Sequence, residues 1–157
     1  MTESVTYRAA TVEDASQVAQ LLIDIGWFSG LKGKSHDEIA QIVRTHLANG
    51  SDSTSTTVAV IDGVVRGYTN THWLHDLFMP APEGYVSEVF VSPSHQGQGI
   101  GTHLLELITA EGKKRGAFRL SLINGKHRDS YQRNFYQKHG WEERELMVNF
   151  VYWLADK

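Results

Sequence analysis

Three alternating glycines, Gly97, Gly99 and Gly101, follow an apolar run and precede an amphipathic one within residues 86–102. Glycine has no Cβ and adopts positive φ freely, so such a loop lets backbone approach a ligand closely. The amides that follow would be the unpaired donors of a helix N-terminus, which suit phosphate or pyrophosphate. The spacing matches neither of two familiar phosphate loops. A dinucleotide fingerprint needs glycine where this chain has Thr102, and a Walker loop needs a lysine after Gly101. A strand-to-helix turn that merely needs small residues is the alternative reading of the same glycines.

Glu88 is the acid embedded in the apolar run before that loop. It alternates with Val86 and Phe90, so its carboxylate is expected to face an apolar neighbourhood, as in a central strand covered on both sides. Desolvation raises a carboxyl pKa toward the range useful to a general base near neutral pH. The alternative is a glutamate at a strand end that reaches solvent or pairs with an arginine. The eight histidines raise the question of a metal. His72 and His75 are three apart, which could place two ligands together. The other six are scattered, so no metal site is expected.

The elements that must hold these residues are legible from pattern. Residues 5–8 predict a first strand. Thr11 with Asp14, and Ser35 with Glu38, are capping signatures ahead of helices carrying Val18, Ala19 and Leu22, then Ile39, Ile42 and Val43. Residues 57–61 and 64–73 predict a hairpin about Asp62-Gly63. A strand over 85–91 leads into the glycine loop and a helix that ends at Lys113, Lys114, Arg115 and Gly116. Residues 118–123 predict a strand, 130–138 a short helix, and 146–153 a closing strand with Val148, Phe150, Tyr152 and Leu154 on one side. That strand is also a candidate for a homodimer interface. The order fits a single three-layer α/β domain over residues 1–157.

Two motifs in fixed order carry a family resemblance. Gln96-x-x-Gly99-x-Gly101 after an apolar strand resembles motif A of the GNAT superfamily of N-acetyltransferases. Downstream, Asn134-Phe135-Tyr136-Gln137-Lys138-His139-Gly140-Trp141 resembles its Phe-Tyr-x-x-x-Gly-Phe element, with tryptophan as the last aromatic. The resemblance implies a mixed α/β fold, with a twisted, mostly antiparallel sheet of about six to seven strands and helices on both faces. It implies direct transfer of an acetyl group from acetyl-CoA to a primary amine of a small molecule, peptide or protein. The amides of Gln96, Gly97, Gln98, Gly99, Ile100, Gly101 and Thr102 would hold the cosubstrate's pyrophosphate. Strand backbone at Val89 and Val91 would bind its pantetheine arm, and an amide near Phe90 or Val91 would stabilise the oxyanion. Glu88 would take the amine proton, often through water, and Tyr136 would protonate the leaving thiolate. Asn124, Ser130 and Arg133 lie near the second motif and are further cofactor candidates. Trp27, Phe28, Trp73 and Asp76 fall where family members build acceptor pockets, and aromatic rings there would hold an amine by cation–π contact. A non-catalytic acyl-CoA-binding or regulatory module is the alternative function.

Composition sets outer bounds. The chain has 157 residues, 41% hydrophobic and 21% charged, as an ordinary globular domain does. A net charge of −3 argues against broad nucleic-acid binding. The lack of cysteine excludes disulfides, thiolate metal sites and a cysteine nucleophile, and is compatible with a cytoplasmic setting. No signal-like N-terminus or membrane-length apolar run is present, so neither export nor a membrane partner is expected.

Overall fold

The structure, a computed structural model, describes residues 4–155. They form two compact units divided between Ile123 and Asn124. The first unit holds an open five-stranded sheet in sequence order: β1 (Thr6–Ala9), β2 (Thr54–Ile61), β3 (Val64–Leu74), β4 (Glu83–Val91) and β5 (Arg119–Ser121). The first three pairings are antiparallel and β4–β5 is parallel. Asp62 and Gly63, both at positive φ, make the tight β2–β3 turn.

Local chemistry sets the helices. Ahead of α1 (Ala15–Ile25), the Thr11 amide donates to Asp14 Oδ2 at 2.8 Å, and Gly26 at φ 78° ends the helix with its amide on the Leu22 carbonyl. Ahead of α2 (His36–Ala48), the Ser35 and Glu38 side chains each accept from the other's amide, at 3.2 and 2.7 Å. Val18, Leu21 and Leu22 of α1 and Ile39 of α2 pack with Val58, Val65 and Tyr68 on one face of the sheet. On the other face Ile100 and Leu104 of α3 (Ile100–Lys114) pack on Ala59 and Ile61. Gly67 permits this approach, because a Cβ there would lie 3.2 Å from Ile100 Cγ2 and 3.0 Å from the Phe90 carbonyl.

Three expectations are corrected. The sheet has five strands, not six to seven. Residues 146–153 form no strand: they have β-prone side chains but no ladder partner among the described residues. The helix expected over 130–138 breaks into α4 (Asp129–Gln132) and α5 (Phe135–Lys138), because Asn134 sits in the left-handed region at φ 55°. No helix among the described residues is long and apolar enough to cross a membrane.

Arg8 grips buried Asp14 with two bonds of 2.8 Å, and this pairing is the main reason the Asp14 carboxyl sits below its ordinary pKa. A depressed folded pKa adds stability that is present above the unfolded value and lost as pH falls through the folded one. Arg8→Ala should therefore cost about 1–3 kcal/mol at pH 7 in urea melts. It should cost clearly less at pH 3, whereas an equal loss at both would remove the ion pair as its cause.

Candidate active site

After β4, a single turn at Pro93–His95 leads to the glycine loop. The Gln96 side-chain amide ties that loop to the end of β4, donating to the Val91 carbonyl at 3.3 Å. Gly97 and Gly99 take φ of 75° and 83°, and Gly99 is the N-cap of α3. The first helical bond runs from the His103 amide to the Gly99 carbonyl. The amides of Ile100 and Gly101 donate to no backbone acceptor among the described residues. Gly97, Gln98 and Gly99 are exposed, Ile100 is buried and Gly101 is half-buried, so the exposed glycine loop stands directly before the positive end of a 15-residue helix.

Strand β4 offers a second set of backbone groups. It pairs with β5 only from Glu83 to Tyr85, while it stays paired with β3 as far as Val91. Beyond Tyr85 its β5-side edge has no strand partner among the described residues. Val89, Phe90 and Val91 lie on that open stretch, which runs toward the glycine loop.

The side chain of Glu88 is placed by a bulge. Asn70 faces Glu88 in the ladder and Thr71 faces Val86, which leaves Ser87 extra. Facing residues project to the same side, so Glu88 lies with Tyr68 and Asn70 on the α1–α2 face, and Val86 lies on the opposite face. The apolar surroundings inferred from alternation are thus corrected. Glu88 is half-buried among polar partners: Oε1 accepts from the Tyr68 hydroxyl at 2.9 Å and Oε2 from the Ser87 hydroxyl at 3.4 Å. Burial first, then the Glu88 charge, pushes the Tyr68 hydroxyl well above its ordinary pKa. Tyr68 therefore stays a proton donor and occupies Oε1, leaving Oε2 as the more available oxygen. Ser87 also lies 3.2 Å from His72 Nε2 and 3.3 Å from Asn70 Nδ2.

Aromatic rings border this carboxylate. Phe90 meets Phe28 edge-on at 5.0 Å, Trp27 at 5.6 Å and Tyr68 at 5.8 Å. Trp27 and Phe28 also line a cavity of about 430 Å³ beside the α1–α2 connection, with Leu22 and Ile39 at its wall and Lys32 and Lys34 at its border. Trp27 is 47% exposed and so is available to a ligand. Trp73 is not: it is 4% exposed on the α3 face, where its indole N–H donates to Ser55 Oγ and Arg115 covers the ring. Its assignment to an acceptor pocket is withdrawn on that ground. Asp76 lies in the exposed loop between β3 and β4.

The second unit carries the remaining candidates. Asn124 Oδ1 accepts from the Ser130 hydroxyl at 3.1 Å, while its Nδ2 is buried with no partner among the described residues. Arg133 pairs with Asp129 at 2.9 Å and lies over the Phe135 ring. Tyr136 packs edge-on to Phe135 and Trp141, at 5.1 and 5.9 Å. Both motif rings are half-buried, rather than Phe135 alone entering a core. Burial raises the Tyr136 hydroxyl above its ordinary pKa, with the Arg133 charge acting the other way.

Among the described residues no group of three or more His, Asp or Glu is arranged to hold a metal. Pattern reading missed Tyr68, Asn70, Ser87 and His72 as the setting of Glu88. The even spacing of Tyr68, Asn70 and His72 on one strand was a usable signal, but the bulge that brings Ser87 to them had none.

A family model described as the acetyltransferase (GNAT) family matches residues 22–141. Searching the curated proteins gave no match. Several solved structures share the fold. An integron cassette protein from the mobile metagenome of V. cholerae superposes with a TM-score of 0.82 at 17% identity, covering 95% of this chain and 92% of its own. An aminoglycoside N-acetyltransferase in complex with CoA gives 0.76 at 18% identity, covering 97% of each chain. A ribosomal-protein-alanine N-acetyltransferase from Brucella melitensis biovar Abortus 2308 gives 0.72 at 17% identity, covering 95% and 100%.

The loop geometry makes a stability prediction of its own. A Cβ at Gly99 would touch nothing within 4 Å, so the cost of Gly99→Ala is backbone strain alone, about 1–2 kcal/mol. Gly30→Ala, equally open but without positive φ, should be near neutral in the same denaturant melts. Equal effects at the two positions would show that the left-handed cap is not strained by a side chain.

Proposed function

The chain belongs to the acetyltransferase (GNAT) family, and from that premise we propose that it is an N-acetyltransferase moving the acetyl group of acetyl-CoA directly to a primary amine. The observation that carries the reading is the N-terminus of α3 behind the exposed glycine loop, where the amides of Ile100 and Gly101 meet no backbone acceptor among the described residues. The residues present suit the cosubstrate. Amides and a helix dipole fit a diphosphate, and the open edge of β4 fits the amides of a pantetheine arm. Ser130 acts by holding the Asn124 oxygen. Arg133 is paired with Asp129 within the second unit.

Acetyl-CoA supplies an activated acyl group, so the protein must deprotonate an amine, steady an oxyanion and return a proton. Glu88 Oε2 takes the amine proton, directly or through one water, while Tyr68 holds Oε1 in place. A backbone amide at Phe90 or Val91 faces the developing oxyanion. Tyr136, a neutral phenol at pH 7 whose pKa burial raises further, gives a proton to the departing thiolate. Trp27 and Phe28 hold the body of the acceptor, on the sheet face to which Glu88 projects. The acceptor is therefore an amine with an apolar or aromatic body.

Acetyl-CoA at one hundred times its Kd should stabilise the protein by about 2.7 kcal/mol in a thermal shift assay. Release of CoA over an amine panel measures turnover. Tyr136→Phe should lower kcat by about 10²–10⁴-fold with little change in acetyl-CoA affinity, and an unchanged kcat would remove its acid role. Trp27→Ala should raise the acceptor KM while leaving kcat for saturating amine largely intact. Binding without turnover across the whole panel, in protein that still binds acetyl-CoA, would favour a non-catalytic module.

A further inference from the structure

Three polar side chains beside Glu88 have no work in the reaction proposed above: Asn70 and His72 on β3, and Ser87 at the bulge of β4. Their donors and acceptors fix one another. The Thr56 hydroxyl donates to Asn70 Oδ1 at 2.9 Å, which leaves the amide nitrogen facing the other two. Asn70 Nδ2 carries two hydrogens, and two atoms lie 3.3 Å from it, Ser87 Oγ and His72 Nε2. Both therefore accept. A neutral imidazole that accepts at Nε2 holds its hydrogen on Nδ1, and Nδ1 meets no partner among the described residues. His72 is thus an Nδ1–H tautomer with its lone pair turned into the cluster.

Ser87 joins that lone pair to Glu88. Its Oγ lies 3.2 Å from His72 Nε2 and 3.4 Å from Glu88 Oε2, and its single hydrogen rests on one of these or on the Asn70 carbonyl at 3.2 Å. The carboxylate needs such a neighbour. Its Oε1 already accepts from the Tyr68 hydroxyl, whose hydrogen points at it, so a proton gained at Oε2 has no exit through Tyr68. An acceptor seated against Oε2 also displaces water from that side. Ser87 is then the other protein contact of Glu88 among the described residues.

We propose that Ser87 and His72 form a relay carrying the amine proton from Glu88 to solvent, an inference that rests on Glu88 being the base. The protonated Glu88 Oε2 passes its hydrogen to Ser87 Oγ as the Ser87 hydrogen moves to His72 Nε2. Carboxylate and hydroxyl are restored, and the ring becomes imidazolium. Its Nδ1–H then goes to water, and exchange with solvent returns the hydrogen from Nε2 to Nδ1. Both residues act through Glu88, as positioning residues for its proton, and Asn70 holds the two in line.

The tautomer is tested without turnover. Long-range nitrogen–proton NMR of histidine-labelled protein, with His72→Gln to identify the signal, should show neutral His72 protonated on Nδ1. A hydrogen on Nε2 instead would overturn the relay. With an amine that the unmodified protein acetylates, His72→Gln and Ser87→Ala should each lower kcat on the order of tenfold, less than the 10²–10⁴-fold typical of a direct acid or base. The KM for acetyl-CoA should hold. The double variant should be no slower than either single one, since a relay broken at one link is already broken. Ser87→Thr keeps the hydroxyl and should restore most of the rate. Unchanged kcat in both single variants, losses that multiply in the double, or Ser87→Thr as slow as Ser87→Ala would each sink the relay and leave Glu88 as base. Failure of the unmodified protein to acetylate any amine would sink the transferase reading, and the relay with it.

Discussion

The carboxylate of Glu83 is the point from which the rest of the first unit is set. It is buried, and a buried charge persists only when it is paired. Arg119 and the Ser121 hydroxyl, both on β5, donate to it. The clamp therefore fixes β5 to the start of β4, in parallel register, and to nothing further along. Gly84 lets the clamp close, since a Cβ there would sit 2.5 Å from Leu120 and 2.7 Å from the Trp73 ring. With the strands joined at one end only, the far half of β4 is free to present backbone to a ligand. Trp73, expected in a substrate pocket, belongs instead to the packing that makes this separation rigid.

The first turns of helix α3 are held through Ile100 and Leu104 against Ala59 and Ile61, while its far end at Gly112 meets Leu120 and Trp73 beside that clamp. Ile100 is the first residue of the helix and is 2% exposed, so the packing anchors the very turn whose amides are unpaired. A frayed end would offer those donors only part of the time. Here the apolar contact fixes their direction, and the two left-handed glycines bring the chain to that point without a side chain in the way.

How far the sequence could be read follows from how local each determinant is. Both N-terminal helices were legible because their capping boxes, apolar stripes and the Gly26 stop lie within a few residues of one another. The hairpin at Asp62-Gly63 was legible for the same reason. Propensity misled over 146–153, because a strand is completed by its neighbour and residue type cannot supply one. It misled again at Asn134, where one left-handed residue divides a helix that composition alone would continue. Within the site, the glycine loop and Glu88 stood out by type and spacing. The face of Glu88 did not, since the extra residue at Ser87 reverses the alternation on which any such reading depends.

That reversal has a chemical consequence. Without the bulge, Glu88 would share its side with Val86 in the packing under α3 and its carboxylate would be sealed from an acceptor. With it, the carboxylate turns to the α1–α2 face, beside the Phe90, Phe28 and Trp27 rings. The two sides of β4 are thereby given different work: the edge past Tyr85 is main chain, indifferent to side-chain identity, and suits a ligand common to a whole family. The α1–α2 face is all side chain, with Trp27 and Phe28 contributed by the loop after α1, Phe28 packing on the core and Trp27 standing more exposed. On the proposed function, such an arrangement would keep one donor of acyl groups while changing its amine, so the search for the acceptor starts at that loop and not at the glycines.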